Sequence, residues 1–153
     1  MSDSPSILLL NGPNLNLLGT REPDIYGAST LRDVEHLVTE TAAAADYGVN
    51  ALQSNHEGVL IDAIHEARNT SRGIIINPGA YTHTSLAIAD ALAAVNLPVI
   101  EVHISNVHRR ESVRHHSFVS PVASSIIIGA GVNGYRLATL QLIDLLSEAS
   151  PRA

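Results

Sequence analysis

The chain has 153 residues, of which 45% are apolar and 16% charged, so we expect a globular domain with its own core and not a disordered chain. Its net charge of −6 argues against general nucleic-acid binding, which needs a basic face. There is no cysteine, and all nine basic residues are arginines. This composition excludes disulfides, cysteine metal sites, Schiff-base catalysis by lysine and Walker-type phosphate loops.

The sequence gives no sign of a membrane or secreted protein. No apolar run approaches the ~20 residues of a membrane span, and residues 1–6 lack the basic start of a secretion signal. We therefore expect a cytoplasmic protein with no membrane partner. One catalytic domain is expected over residues 1–153, with an ordered core at about residues 6–147.

Five short apolar runs alternate with helical patterns along the chain. Strands are predicted at Ser6–Leu10, Val49–Gln53, Gly73–Ile76, Val99–Ile104 and Ser124–Ile128. Helices are predicted from the cap signal Thr30/Asp33 to Tyr47, with Gly48 as the stop, and at Gly58–Arg68, Thr84–Val95 and Asn133–Leu146, the last with Leu137, Leu140 and Ile143 as its buried stripe. This alternation predicts an α/β, flavodoxin-like three-layer sandwich whose five-stranded parallel sheet has the order 2-1-3-4-5.

The segment from Asn11 to Gly27 is too long and too polar for a plain strand-to-helix connection, which needs about 2–6 residues. It indicates a binding loop or a lid, with a disordered excursion as the alternative. Tyr26 and Arg21 are a candidate pair within it, because a phenol with a usual pKa near ~10 acts as a base only when a nearby cation favours phenolate. The alternative is a tyrosine packed on the loop beside a solvated arginine.

Polar clusters follow the first four predicted strands. In a parallel sheet these clusters meet at one edge, and a ligand binds where the strand order reverses, here between the first and third strands. The clusters contain Asn14, Arg21 and Tyr26, then residues 55–57, then Asn77 and His83, and finally His103, Ser105 and Asn106. Such side chains suit the recognition of hydroxyl and carboxylate groups.

Glu101 and His103 form a second candidate pair. At positions i and i+2 of a strand their side chains face the same way. A carboxylate beside an imidazole can fix its tautomer and hold up its pKa, as a general acid near neutral pH requires. The alternative is a buried structural pair that satisfies only itself.

Two other patterns suggest a cofactor or a metal, but we expect neither. The GxGxxG run Gly129–Gly134 precedes a helix, yet no later strand could supply the acidic residue of a dinucleotide site, so its glycines are expected to ease entry into the helix. His103, His108, His115 and His116 match no helical metal-ligand spacing.

Four stretches together resemble type II 3-dehydroquinate dehydratase. They are NGPNLNLLGTREPDIYG (11–27), QSNHEG (53–58), INPGAYTHTS (76–85) and EVHISN (101–106), and the likeness runs from about Ile7 to Leu146. The absence of lysine agrees, because the unrelated type I enzyme uses a Schiff-base lysine. The resemblance implies reversible dehydration of 3-dehydroquinate to 3-dehydroshikimate through an enolate, without metal or cofactor.

The resemblance also implies residue roles. The catalytic set would be Tyr26 as the base, Arg21 holding it as phenolate, His103 as the acid, Glu101 orienting His103, and Asn14 beside a water or the enolate oxygen. The substrate-binding set would be Asn77 and the Ile104 and Ser105 amides with the Ser105 hydroxyl for the carboxylate, His83 and Arg114 for ring hydroxyls, and Asp90 from a neighbouring subunit. The resemblance further implies that the loop at about Leu17–Gly27 closes as a lid and that the protein is a homododecamer built from trimers.

Three residues depart from the pattern that the resemblance implies. Arg109 and Val113 stand where a small and an aromatic residue are usual, and Tyr81 replaces a small or apolar one. These departures concern the rate and the packing of the lid. Two alternatives stay open: a flavodoxin-like binding module without turnover, and a cofactor-free lyase for a related hydroxy-keto acid. The sequence also leaves open whether the role is biosynthetic or catabolic.

Overall fold

The computed structural model describes residues 4–20 and 22–149. Within these residues there are five strands and five α-helices, and no α-helix separates the fourth strand from the fifth. In chain order they are β1 (Ser6–Asn11), α1 (Pro23–Tyr26), α2 (Leu31–Ala43), β2 (Gly48–Gln53), α3 (Glu57–Thr70), β3 (Ile74–Asn77), α4 (Leu86–Val95), β4 (Val99–His103), β5 (Ser125–Ile128) and α5 (Asn133–Ala149).

The five strands form one parallel sheet in the order β2-β1-β3-β4-β5, which confirms the predicted topology. Successive side chains of β1 alternate between the two faces. Ile7 and Leu9 pack under α2 and α5, whereas Leu8 and Leu10 pack under α3 and α4. Strands buried on both faces explain why the sequence shows continuous apolar runs.

Helix α2 begins as predicted but ends early. The Thr30 hydroxyl accepts from the Asp33 amide at 3.2 Å, and the Asp33 carboxylate accepts from the Thr30 amide at 2.9 Å, which is a complete capping box. The predicted end at Tyr47 with Gly48 as the stop is wrong. The left-handed residue after the helix is Asp46 (φ 65°), a conformation that aspartate tolerates, and Gly48 is instead the first residue of β2.

The long loop after β1 and the segment after β4 contain structure that the periodicity did not predict. Leu15–Leu17 forms a 3₁₀ turn, and the side chains of Leu15 and Leu18 are buried in the core, so this part of the loop is not a disordered excursion. Further 3₁₀ turns lie at Gly79–His83, Val107–Arg109, Ser112–Arg114 and Ser120–Val122. The first of them delays the start of α4 from the predicted Thr84 to Leu86.

The glycine run before α5 supports the end of β4. Gly129 and Gly131 have positive φ of 83° and 65°, and their amides donate to the carbonyls of His103 and Ile104 at 3.1 and 3.0 Å. The glycine backbone therefore fixes the position of the residues at the carboxyl end of β4. In the part of the chain that the structure describes, no helix is long and apolar enough to cross a membrane.

A close approach of two backbones fixes the ends of β1 and β3. A Cβ atom on Gly12 would lie 2.3 Å from the carbonyl oxygen of Pro78, and the Gly12 amide donates to the Asn77 carbonyl at 2.8 Å. Gly12→Ala should therefore lower the free energy of unfolding by about 2 kcal/mol or more, measured by denaturant titration.

The matched control is Gly58→Ala in α3. A Cβ atom there meets nothing within 4 Å, so we expect unchanged stability or a gain of up to about 1 kcal/mol. Equal stability of the two variants would contradict the close-approach argument.

Candidate active site

A cleft of about 140 Å³ opens at the carboxyl ends of β1, β3 and β4, which is the edge predicted from the sheet order. Its walls contain seven of the eleven predicted site residues. These are Asn14, Asn77, His83, His103, Ile104, Ser105 and Arg114. The remaining walls combine the apolar side chains of Pro13, Leu15, Leu18 and Val107 with Arg110, Gly79 and Ala80. A small polar ligand with a carboxylate fits such a lining.

Of the other four predicted residues, Glu101 and Asp90 are not in the cleft wall, and the side chains of the remaining two are not described. Glu101 is fully buried beneath His103 and reaches the cleft only through it. Asp90 is exposed on α4 and is not in the wall of its own chain's cleft. Tyr26 ends helix α1 in the loop after β1, and its side chain lies outside what the structure describes, as does Arg21 altogether.

The Glu101/His103 pair forms as the strand spacing predicts. The Nε2 atom of His103 lies 2.5 Å from Oε2 of Glu101, which leaves Nδ1 as the ring nitrogen without a partner inside the pair. Burial alone would raise the pKa of Glu101, but hydrogen bonds from His103 and Ser120 and the charge of His103 outweigh it and hold that pKa below its usual range. Glu101 is therefore a carboxylate, which can only accept, so the Nε2 atom of His103 carries the hydrogen of their hydrogen bond.

His83 carries its proton on a defined nitrogen. Its Nδ1 lies 2.7 Å from the carbonyl oxygen of His116, and since a carbonyl can only accept, Nδ1 holds the hydrogen. Burial lowers the pKa of His83, and the positive charges of His103 and Arg114 lower it further, against the opposing effect of the His116 carbonyl. Neutral His83 then has Nε2 available to accept a hydrogen bond, which suits a ligand hydroxyl.

Arg114 is oriented from outside the cleft. Its Nε donates to the Glu111 carboxylate at 2.6 Å, within the turn Ser112–Arg114 and its flank. Arg114 lies in the cleft wall together with His83. A planar cation in this position is suited to binding oxygen atoms of a ligand.

Comparison with known proteins identifies the family. The chain matches the model of the family described as dehydroquinase class II over residues 5–143. The chain belongs to this family.

Its similar relatives carry consistent names. Catabolic 3-dehydroquinase 2 of Aspergillus flavus is 62% identical over 93% of this chain and 95% of its own length. The 3-dehydroquinate dehydratase of Rhodopseudomonas palustris is 61% identical over 87% of this chain and 89% of its own. The crystal structure of type II dehydroquinase from Propionibacterium acnes has a TM-score of 0.88 at 43% identity, and the match covers 92% of this chain and 97% of that one.

Tyr135, which sequence reasoning missed, supports the cleft residue Asn77 from beneath the wall. Its side chain is fully buried, with the hydroxyl 2.8 Å from Nδ2 of Asn77 and 2.7 Å from Oδ1 of Asn11. Burial raises the pKa of Tyr135, so the hydroxyl stays protonated and can donate one hydrogen bond.

The predicted buried stripe of α5 is wrong, because Leu140 is exposed while Tyr135, Ala138 and Leu142 face the core.

A backbone amide determines the direction of this hydrogen-bonded chain. The Gly79 N–H can only donate, and it donates to Oδ1 of Asn77 at 3.1 Å, so the NH₂ group of Asn77 must face Tyr135. The tyrosine oxygen accepts from it, and the tyrosine O–H donates to Oδ1 of Asn11. The amide of Asn77 is thus held in one orientation, with its second N–H left for a ligand.

Within the described part of the chain, no hydrogen bond joins the side chains of the three residues that depart from the family pattern to the Glu101/His103 pair. The Val113 side chain is 69% exposed, Arg109 ends a surface turn, and the Tyr81 hydroxyl donates to the Asn55 carbonyl at 3.0 Å. No three His, Asp or Glu side chains converge as metal ligands within residues 4–20 and 22–149. The rings of His108 and His115 are in contact, with centroids 5.9 Å apart.

Tyr135→Phe tests the buried chain. Removing the hydroxyl leaves the Asn11 oxygen and the Asn77 amide without partners in the core, so the free energy of unfolding should fall by about 1–3 kcal/mol in denaturant titrations. Tyr47→Phe is the control, since Tyr47 also packs at the edge of the core but no hydrogen bond of its hydroxyl is seen in the described residues. An equal effect of the two substitutions would contradict the role of the buried chain.

Proposed function

We propose that this chain dehydrates 3-dehydroquinate reversibly to 3-dehydroshikimate through an enolate, with Tyr26 as the base and His103 as the acid. Family membership and relatives of about 60% identity named 3-dehydroquinate dehydratase support the reaction. The observation that carries the proposal is the Glu101/His103 pair in β4, in which His103 lies in the wall of the cleft and Glu101 is buried beneath it.

The acid half of the mechanism follows from the hydrogen bonding of His103. Its Nε2–H remains donated to Glu101, while Nδ1–H transfers its proton to the departing hydroxyl. The carbon–oxygen bond breaks as the enolate electrons form the new double bond and water leaves. A hydroxide would be a poor leaving group without this proton.

The base half rests on Tyr26 and Arg21. The ketone of 3-dehydroquinate acidifies its α-hydrogens, so a phenolate is strong enough to remove one of them. Arg21 cannot lose its own proton and would favour phenolate by its charge. Asn14, in the cleft wall, would hold a water or the enolate oxygen. The lid at about Leu17–Gly27 would exclude water from this intermediate.

Substrate binding is assigned to the remaining cleft residues. The free N–H of Asn77, the amides of Ile104 and Ser105 and the Ser105 hydroxyl would donate to the carboxylate. His83 would accept from a ring hydroxyl through Nε2, and Arg114 would bind the neighbouring oxygen. No metal or cofactor takes part in this scheme.

The proposal includes a shared active site in a cytoplasmic, trimer-based dodecamer. The exposed face of α4 supports this assembly, because apolar residues surround the single acid Asp90 on it. The residues of this face are Leu86, which is 58% exposed, with Ala87, Ala93 and Ala94. An apolar helix face around a carboxylate suits contact with another subunit, where Asp90 would reach the neighbouring cleft.

Tyr26→Phe tests the base. Turnover is followed by the rise of the conjugated enone-acid absorbance from 3-dehydroquinate, with chelator present. The variant should lose at least about 100-fold in kcat, because phenylalanine cannot accept a proton. Binding of a substrate analogue should stay near that of the wild type.

Two results would contradict this scheme. Near-normal turnover by Tyr26→Phe would remove Tyr26 as the base. No turnover by the wild-type chain, with 3-dehydroquinate still bound, would favour a binding module without catalysis.

Mixing two inactive variants tests the shared site. Asp90→Ala should lose activity because each cleft lacks its neighbour's carboxylate, and Tyr26→Phe should lose its own base. When the two variants are refolded together in equal amounts, about a quarter of the sites should combine an intact Tyr26 with an intact Asp90 from the neighbouring subunit. The mixture should therefore recover about a quarter of wild-type activity. Asp62→Ala, on the exposed face of α3, is the control and should stay active. An absence of recovery in mixed oligomers would place Asp90 outside the neighbouring cleft.

A further inference from the structure

Three hydroxyl groups surround the Glu101 carboxylate, and the acid–base scheme assigns them no role. Oε2 of Glu101 accepts from the Thr82 hydroxyl at 2.7 Å and from the Ser117 hydroxyl at 3.0 Å, in addition to His103. Oε1 accepts from the Ser120 hydroxyl. We call Thr82, Ser117 and Ser120 the hydroxyl cage.

The cage is assembled from segments that pack around the end of β4. Thr82 lies in the turn Gly79–His83, between cleft residues, while Ser120 begins the turn Ser120–Val122. Ser117 connects them, because its oxygen lies 2.7 Å from that of Thr82 and accepts from the amides of Val119 and Ser120. With these amides donating to it, the Ser117 hydroxyl has its own proton available for Thr82 or Glu101.

Without further donors, the proton of the pair could reside on either partner. Moving an imidazolium and a carboxylate out of water is costly, so a dry environment favours the neutral pair, in which glutamic acid holds the proton and imidazole is neutral. Hydrogen bonds to an ionised group are stronger than those to its neutral form, so every hydroxyl that donates to Glu101 favours the carboxylate. Glu101 has such donors on both of its oxygens.

We propose that the hydroxyl cage is a positioning device that keeps the transferable proton on His103 by holding Glu101 as a carboxylate through the whole elimination. The inference rests on the proposed function, in which His103 protonates the leaving hydroxyl. His103 gives up its Nδ1 proton and retains the electron pair of that bond, and its Nε2–H stays donated to Glu101. Glu101 neither gains nor loses a proton in the cycle.

The chain offers a matched pair of buried threonines for the test. Thr82 and Thr139 are 1% and 0% exposed, and the hydroxyl of each makes a 2.7 Å hydrogen bond. Thr82 donates to Glu101, whereas Thr139 donates to the backbone carbonyl of Tyr135 within α5. Thr82→Val and Thr139→Val remove the same group from equally buried places, and only the first touches the carboxylate.

The experiment compares full-length Thr82→Val, Ser120→Ala, Thr139→Val and Glu101→Gln with the wild type. For each variant, kcat and KM of dehydration are measured, together with exchange of the α-hydrogen of 3-dehydroquinate with solvent deuterium. Exchange reports formation of the enolate, which needs the base, whereas dehydration also needs the acid. Ser120→Ala serves in place of Thr82→Val should the latter fail to fold.

We expect Thr82→Val and Ser120→Ala each to lower kcat about tenfold, the usual weight of one hydrogen bond to a charged group, with KM and exchange within about twofold of the wild type. Thr139→Val should keep kcat within about twofold. Ring ¹⁵N resonances of His103 should shift toward neutral imidazole in the two cage variants and in Glu101→Gln, but not in Thr139→Val.

Two results would overturn the cage. The first is an equal kcat in Thr82→Val and Thr139→Val while Glu101→Gln has a lowered kcat. In that case the role of the cage is refuted, and His103 remains the proposed acid. The second is a parallel fall of exchange and dehydration in the cage variants, which would indicate general damage to the site. Unimpaired dehydration by Glu101→Gln would instead refute the proposed acid pair itself.

Discussion

The candidate active site depends on one buried charge, the carboxylate of Glu101 in a central strand of the sheet. Strand β4 lies between β3 and β5, so Glu101 has apolar strands on both sides and no exposed surface. An uncompensated carboxylate in such a place would cost several kcal/mol, and it persists because His103 and three hydroxyls donate to it. The segments that supply these donors are also the segments that form the cleft.

A second polar network holds Asn77, another residue of the cleft wall. Asn11 and Asn77 end the adjacent strands β1 and β3, and Tyr135 joins their side chains from α5. The Gly12 amide and the Asn77 carbonyl connect the same two strands through the backbone. Because each member of this network has a partner, the cleft wall is held in one arrangement before any ligand arrives.

The sequence was sufficient for the sheet, its order and most of the cleft residues, because each of these follows from local pattern or from a long motif. Buried parallel strands read as apolar runs, and the pair Glu101/His103 follows from the two-residue period of a strand. The match of the motifs to the family was confirmed by the comparisons. Asn14, Asn77 and Arg114 do line the same cleft.

The residues that were missed act across long sequence separations. Thr82 and Ser120 are ordinary turn residues in the sequence, and only the packing of two turns on β4 turns both hydroxyls toward Glu101. The stripe of α5 was predicted from its leucines, but the side of a helix that faces the core is decided by what it packs on. Tyr135 occupies that side because Asn11 and Asn77 provide partners for its hydroxyl.

The proposed acid and the proposed base stand on structural elements of different kinds, a central strand and a long loop. His103 stands at the end of a central strand and is held by Glu101, whose own partners are fixed. The proposed base belongs to the loop between two anchors, the buried side chain of Leu18 and the capping box at Thr30. Gly19 and Gly27 have positive φ of 92° and 80° between these anchors. The lid proposed at about Leu17–Gly27 would therefore move mainly in the part of the loop that follows Leu18, whereas His103, the proposed acid, already lies in the cleft wall. In the proposed mechanism, such a division would let the substrate meet a preformed acid before the base closes over it.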